Sequence, residues 1–313
     1  MKRVLIAVLM ISMLLLMAGC DSTGAPNGSF PDREIEIVVP YTAGGAADLT
    51  ARSFSPAFED STGGTAVVIN KAGASGVVGF SFIASAKADG YTIGLVPLPS
   101  VCINHVLGEL ETDPIDGYDF IGGVCQDPVA LSVSADSQFD SFSDLMDYAK
   151  AHPGELSVAA SGMTSMDTVV CRELEAAAGI EFNIVDYVGG SESMTAVMGG
   201  HADIMLGTVS EMTAYAKAGQ LKILAVGEEG YGYPTFEDEG YPITLTRQVR
   251  CIIAPRGLDA SIKSVLIDAV KTAVDSDKCK ANLNAMDIAP YYMTPEEMQE
   301  YASQIMATLK QFK

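Results

Sequence analysis

Short β-branched runs alternate along the chain with segments whose apolar positions recur every three to four residues. Ile35–Val39 is the first run; its Ile and Val residues favour a buried strand. Pro40 ends it, having no N–H to give a ladder. Gly44 and Gly45 allow a sharp turn, after which Leu49, Ala51, Phe54 and Phe58 fall on one helical face. The same order returns. Ala66–Asn70 reads as a strand, 72–76 as a glycine turn, 77–86 as a helix and 91–96 as a strand. Residues 97–119 show no clear period, and 120–124 and 129–133 read as two separate strands.

Ser141 can cap a helix running to Lys150, with Leu145, Tyr148 and Ala149 inward, and Pro153-Gly154 stops it. Strands are expected at 156–160, 182–187, 203–206, Leu221–Val226 and 249–254. Helices are expected after the turn 161–165, with Met166, Val169, Val170 and Leu174 on one face, and at 192–198, Val209–Lys217 and 259–274. Residues 228–240 are a loop rich in Gly, Tyr and acids. The last helix has a strong start: Thr294 as cap, Pro295 at the first position, and Glu297 closing a capping box. Met298, Tyr301, Ile305, Leu309 and Phe312 form its apolar stripe. Strand–helix alternation of this kind predicts an α/β fold with parallel strands.

Small-residue turns follow strand ends at 42–48, 72–76, 161–165 and 188–191. Ligands of such sheets sit beyond the carboxyl ends of the strands, so turns from two lobes would face one cleft. A helix that starts at Gly44-Gly45 presents unpaired N–H groups at the positive end of its dipole, which suits an anion. From these residues alone, an anion site and a plain tight turn remain equally open.

The 313 residues suffice for two domains or one large one, and at 48% hydrophobic they can bury a sizeable core. A net charge of -21 excludes the basic face that a nucleic-acid binder needs. It also means that an anion site must work through local dipoles against a repelling global field. Lys2 and Arg3, the apolar run 4–16 and then Met17-Ala18-Gly19-Cys20 read as an export signal too short to span a membrane comfortably. Ala18-Gly19-Cys20 resembles a lipoprotein processing box, with Met17 where Leu is usual. The resemblance implies cleavage before Cys20, a diacylglyceryl group on its sulfur, and 21–29 as a polar tether. An ordinary signal peptide cut near Gly19 is the alternative. Cys102, Cys125, Cys171, Cys251 and Cys279 include no C-x-x-C pair, so they read as small core residues rather than a metal or redox site.

An enzyme is not expected. The chain has three histidines, His105, His152 and His201, no G-x-S-x-G elbow, no H-x-x-x-H pair and no Gly-Lys-Ser/Thr ending for a P-loop. Ser161 as a nucleophile would need a remote histidine. No cofactor and no metal are expected.

Phe30-Pro31-Asp32-Arg33-Glu34-Ile35, Val39-Pro40-Tyr41 and Ala43-Gly44-Gly45 with Asp48 and Arg52 resemble the tripartite tricarboxylate transporter substrate-binding proteins, the Bug receptors. The likeness continues through Asn70-Lys71-Ala72-Gly73-Ala74-Ser75-Gly76, Ser161-Gly162 with Ser165, Asp186-Tyr187 with Gly189-Gly190, Gly200 with Asp203, Ala254-Pro255 and Thr294-Pro295. It implies a two-lobed, type II periplasmic-binding-protein (venus flytrap) fold whose hinge is crossed near Val129 and Arg250. Lobe 1 would be 30–129 plus 251–313, and lobe 2 would be 130–250. The resemblance further implies a small carboxylate, a di- or tricarboxylate or related organic acid, held between the lobes outside the cytoplasm and passed to an integral-membrane permease. The ligand would meet Tyr41, Ala43, Gly44, Gly45, Ala46, Ala47, Gly73 and Ala74 from one lobe and Ser161, Ser165, Tyr187 and Asp203 from the other. Asp48 would either orient the first loop or meet a ligand amine, and its place near a helix start favours the first. The sequence departs from the family pattern at Thr164 and Thr168, where Gly and His are frequent, and at Val249 and Cys251, where Trp and Gly are frequent. Arg250 reads as a solvated arginine at the hinge, with a second ligand carboxylate as its alternative partner. The competing functions are a sensory receptor that docks onto a signalling protein and an exported hydrolase.

Overall fold

The computed structural model describes residues 30–162, 165–187 and 190–312, without the side chain of Phe312. The export signal, Cys20, the tether 21–29, Thr164, Val188 and Gly189 lie outside the described residues.

The strands are β1 (Ile35–Val39), β2 (Ala66–Asn70), β3 (Thr92–Pro97), β4 (Tyr118–Ser134), β5 (Ser157–Ala160), β6 (Asn183–Asp186), β7 (Ile204–Thr208), β8 (Leu221–Val226), β9 (Arg247–Pro255) and β10 (Ala289–Pro290). The helices are α1 (Ala46–Thr62), α2 (Val77–Ser85), α3 (Leu98–Val106), α4 (Phe142–Ala151), α5 (Met166–Ala178), α6 (Gly190–Met198), α7 (Val209–Lys217), α8 (Ala260–Asp275), α9 (Asp277–Asn284) and α10 (Pro295–Leu309). The fold is mixed α/β and two-lobed. In the first lobe the strand order is β2-β1-β3-β9-β4, with β1 parallel to β2 and β3. In the second, β4 is flanked by β8 and β7, and β5 and β6 continue parallel beyond β7.

One strand serves both sheets. β4 is a single 17-residue strand rather than two. Gln126, Asp127 and Pro128 break its apolar run, which is why the sequence reads as two pieces, but the backbone pairing continues through them. Pro128 still lies opposite Arg247 in the first sheet, and Val129 already lies opposite Thr208 in the second. Register shifts after Phe120 and Gly123 bend the strand, as bulges do. At the changeover the amide of Val129 donates to Thr246 O at 2.9 Å, and the amide of Gly227 donates to Val129 O at 2.7 Å. A Cβ on Gly227 would stand 1.8 Å from Thr246 O, so only glycine fits there.

Each face of the first sheet is covered. Ile35, Ile37 and Val39 pack with Phe54, Phe58, Leu266 and Val270 of α1 and α8, while Val38 faces Phe80 and Val96 on the other side. Burying each such side chain contributes about 1.5–3 kcal/mol. α10 forms with the anticipated capping box, and Met298, Tyr301, Ile305 and Leu309 are buried. α3 and α9 were not legible in the sequence. Almost every residue of α3 is buried, so it has no amphipathic period to read. The five cysteines 102, 125, 171, 251 and 279 are free and buried. Among the described residues no helix is long and apolar enough to cross a membrane.

Candidate functional site

The loop between β1 and α1 is held from beneath. Asp48, 2% exposed, turns back so that Oδ2 accepts the Gly44 amide at 2.8 Å and Arg52 Nε at 2.9 Å. Its Oδ1 accepts Asn70 Nδ2 at 3.0 Å, and that nitrogen also reaches Tyr41 O. Burial works to raise the Asp48 pKa, but the bonds from Arg52, Gly44 and Asn70 outweigh it and hold the carboxyl below its ordinary value. Gly44 turns with φ +83°, in the left-handed region. α1 then starts at Gly45 with no side-chain cap, and the amides of Ala46 and Ala47 meet no acceptor among the described residues.

Those amides border a cavity of about 440 Å³ between the lobes. The structure brings Tyr41, Gly45, Ala46, Ala47, Ser161 and Ser165 together on its wall. Ala43 and Gly44 are exposed and stand off the wall. Gly73 and Ala74 shape the second loop, but it is Ser75, with φ +51°, that borders the cavity. Tyr187 packs against the second-lobe core, and Asp203 accepts Ser157 N and Oγ at 2.8 and 2.6 Å, tying the start of β7 to β5. Neither lines the cavity.

The sequence reading missed much of the polar wall. Ser100 and Asn104 enter on α3, with Asn104 Nδ2 donating to Ser100 O at 2.8 Å. From the second lobe come Asp167, in the first turn of α5, and Thr208 and Glu211, which form the capping box of α7. The T-x-x-E spacing of that box was the one visible signal. Asp167 is 8% exposed and accepts the Ser161 hydroxyl. Burial, with the charge of Glu211 added, pushes Asp167 up to about 7 despite that bond. Desolvation by the surrounding walls also raises Glu211, although its side chain is exposed to the open cleft, with Asp127 adding to the shift and the Thr208 amide and Arg250 opposing it. Ser165 caps α5 through the Thr168 amide at 3.3 Å, and Thr168 Oγ1 donates to Gly162 O at 2.9 Å.

Arg250 is not the solvated hinge residue that its sequence position implies. It is 4% exposed, because β9 is an interior strand that places Arg250 between Pro97 of β3 and Cys125 of β4. It lines the cavity, with Nη1 3.9 Å from Asp127 Oδ2. Asp127 in turn accepts Ser210 N and Oγ at 3.2 and 2.5 Å. Among the described residues none of the three histidines borders the cavity, and the Ser161 hydroxyl has a carboxylate rather than an imidazole as partner.

Residues 50–313 match the family model of the tripartite tricarboxylate transporter family receptor, TctC. The UPF0065 protein in the gbd 5′ region of Cupriavidus necator is 31% identical over 285 residues, which are 90% of this chain and 86% of that protein. A TctC solute-binding protein from Polaromonas superposes with a TM-score of 0.77 at 24% identity, covering 90% of this chain and 99% of that one. An R. palustris protein with adipate superposes with a TM-score of 0.77 at 25% identity, covering 90% and 96%. The chain belongs to the tripartite tricarboxylate transporter receptor family, whose members are solute-binding receptors and not enzymes.

Proposed function

We propose that this protein is an extracytoplasmic receptor that captures a small carboxylate between its lobes and delivers it to the integral-membrane permease of a tripartite tricarboxylate-type transporter. The observation that carries this reading is the uncapped start of α1, where the Ala46 and Ala47 amides border the inter-lobe cavity without an acceptor among the described residues. Two free amides at the positive end of a helix dipole hold a carboxylate without a charged side chain. That matters in a chain of net charge -21, which repels anions at long range. The adipate in the R. palustris relative is a ligand of this chemical kind.

The lobes are 30–129 with 251–313 and 130–250. A carboxylate on the first-lobe amides that also touches Ser161 and Ser165 stabilises the closed form over the open one, and capture follows. Cys20, carrying a diacylglyceryl group after signal cleavage, keeps the receptor at the membrane beside the permease.

Calorimetric titration with mono-, di- and tricarboxylates tests the reading. Saturable binding of at least one of them is expected, and binding of none overturns it. Separately, Cys20→Ser is expected to release the protein from the membrane fraction. Unchanged membrane association would remove the anchor from this account.

A further inference from the structure

β2 is the outer strand of the first sheet and, among the described residues, pairs with β1 alone. Ile35 N donates to Thr65 O at 2.9 Å and Lys71 N to Val39 O at 2.8 Å, so the odd-numbered residues of β2 bond to β1. The amides and carbonyls of Val68 and Asn70 therefore point out of the sheet. Glu59 Oε1 accepts the Ala66 amide at 2.8 Å and closes the start of the edge. The Val68 and Asn70 amides have no acceptor among the described residues. An open, uncharged edge of this kind invites another strand. Both helices beside it carry apolar side chains outward. Leu49 lies one turn before Arg52 on α1, and Arg52 Nη2 reaches Asn70 Oδ1 at 3.3 Å. Val78 and Phe82 share one face of α2, and Lys71 Nζ stands 4.6 Å over the Phe82 ring. Leu49, Val78 and Phe82 are half of the six exposed large apolar residues among the described ones, so apolar exposure concentrates at this edge.

The charge of this surface is unlike that of the rest of the chain. No Asp or Glu occurs from Ser61 to Ala88, although the chain has 40 of them. The charged groups at the edge are Lys71 and Arg52, the latter held through Nε by the buried Asp48. A second copy carries the same net charge of -21 and is repelled. Residues 21–29 hold no large apolar side chain to cover Leu49, Val78 and Phe82. The edge also runs into the ligand site, because Lys71 leads into the loop 72–76 and Ser75 of that loop borders the cavity. An occupant of the edge thus stands beside the cavity from which a carboxylate is handed over. We propose that an extended, acid-bearing segment of the integral-membrane permease adds to β2 as a further strand, bonding the Val68 and Asn70 main chain, covering Leu49, Val78 and Phe82, and setting a carboxylate against Lys71. This rests on the receptor reading above and names the surface that delivery uses.

Photocrosslinking in cells that carry the transporter tests it. p-Benzoylphenylalanine is placed in the full-length receptor at Val68, at Val78 or at Val265, which is exposed on α8, and adducts are identified by mass spectrometry. Val68 and Val78 are expected to yield adducts with a permease subunit, and Val265 none. Adducts only with a second receptor, with residues 21–29 or with lipid overturn the proposal. So does the absence of any adduct, or an equal permease adduct from Val265. Phe82→Glu gives a second readout, because it changes no cavity residue and puts an acid on the flank of the edge. It is expected to bind acetate, succinate and citrate within about twofold of wild type, while cellular uptake of the one that wild type binds tightest falls at least about tenfold. Unchanged uptake overturns the proposal, and the crosslinks still decide if this variant fails to fold. Binding of no carboxylate by wild type overturns the receptor reading instead, whereas binding without permease adducts leaves that reading standing and removes this one.

Discussion

Asp48 reaches back four residues to accept the Gly44 amide at 2.8 Å, and the same carboxylate binds Arg52 and Asn70. This one buried side chain ties the loop after β1 to the start of α1 and to the end of β2. Asp48→Ala removes three charge-assisted bonds, and a loss of about 2–3 kcal/mol is expected with at least a tenfold loss of ligand affinity. The pH dependence follows from the lowered pKa. A carboxyl held below its unfolded value stabilises fully above that value, and the contribution is lost as pH falls through the lower folded value. Acid unfolding of wild type should therefore show a component below about pH 4 that Asp48→Ala lacks. Superimposable acid titrations of the two proteins would remove Asp48 from this role.

Gly45→Val should separate binding from folding. Gly45 has φ -78° and ψ 168°, which valine tolerates, and a Cβ there would meet only Thr42 O at 3.5 Å. The added methyl groups, however, would crowd the space in front of the Ala46 and Ala47 amides. The expected result is a loss of affinity beyond about 100-fold with a melting temperature within a few degrees of wild type. Thermal melts and calorimetry together check both halves.

Asp167 gives the opposite pH signature from Asp48. Its folded pKa is raised to about 7, so the folded state holds its proton where the unfolded chain has lost it. Stability is then fully present below the unfolded value and declines as pH rises towards 7. Asp167→Asn cannot ionise and should lack this decline. Without ligand it should be more stable than wild type by at least about 1 kcal/mol at pH 8 and close to it at pH 4. Denaturant titrations at the two pH values measure the difference; a variant less stable than wild type at pH 8 would contradict the assignment.

The changeover of β4 from one sheet to the other depends on one close approach. Gly227→Ala would place Cβ 1.8 Å from Thr246 O, beside the point where Val129 bonds to both Gly227 and Thr246. Backbone would have to move, so about 3 kcal/mol or more of stability should be lost. Urea unfolding measures this, and a near-neutral result would show that the crossing is looser than its hydrogen bonds at 2.7 and 2.9 Å imply.

The first strand, its glycine turn and the capping box at Thr294–Glu297 were legible because each is a local pattern whose residues lie within one turn or one strand. β4 was not, because its middle carries polar residues that a central strand seldom holds; Asp127 is tolerated there through Ser210 and Arg250, which arrive from elsewhere in the chain. α3 was hidden by its uniform burial. The amide side of the cavity could be anticipated from Gly44, Gly45 and the family resemblance. The charged wall could not, since Asp167, Glu211 and Arg250 sit far apart in sequence and converge only in the folded chain. Arg250 in particular looks like any surface arginine until β9 is placed beside β3.

The account stands on main-chain amides gripping a carboxylate at the start of α1. Nitrogen–proton correlation spectra of isotope-labelled protein, recorded during titration with its tightest-binding carboxylate, test this directly. The Ala46 and Ala47 amide resonances are expected to shift downfield and to saturate with the calorimetric binding curve. A ligand that binds while both resonances stay in place would contradict it.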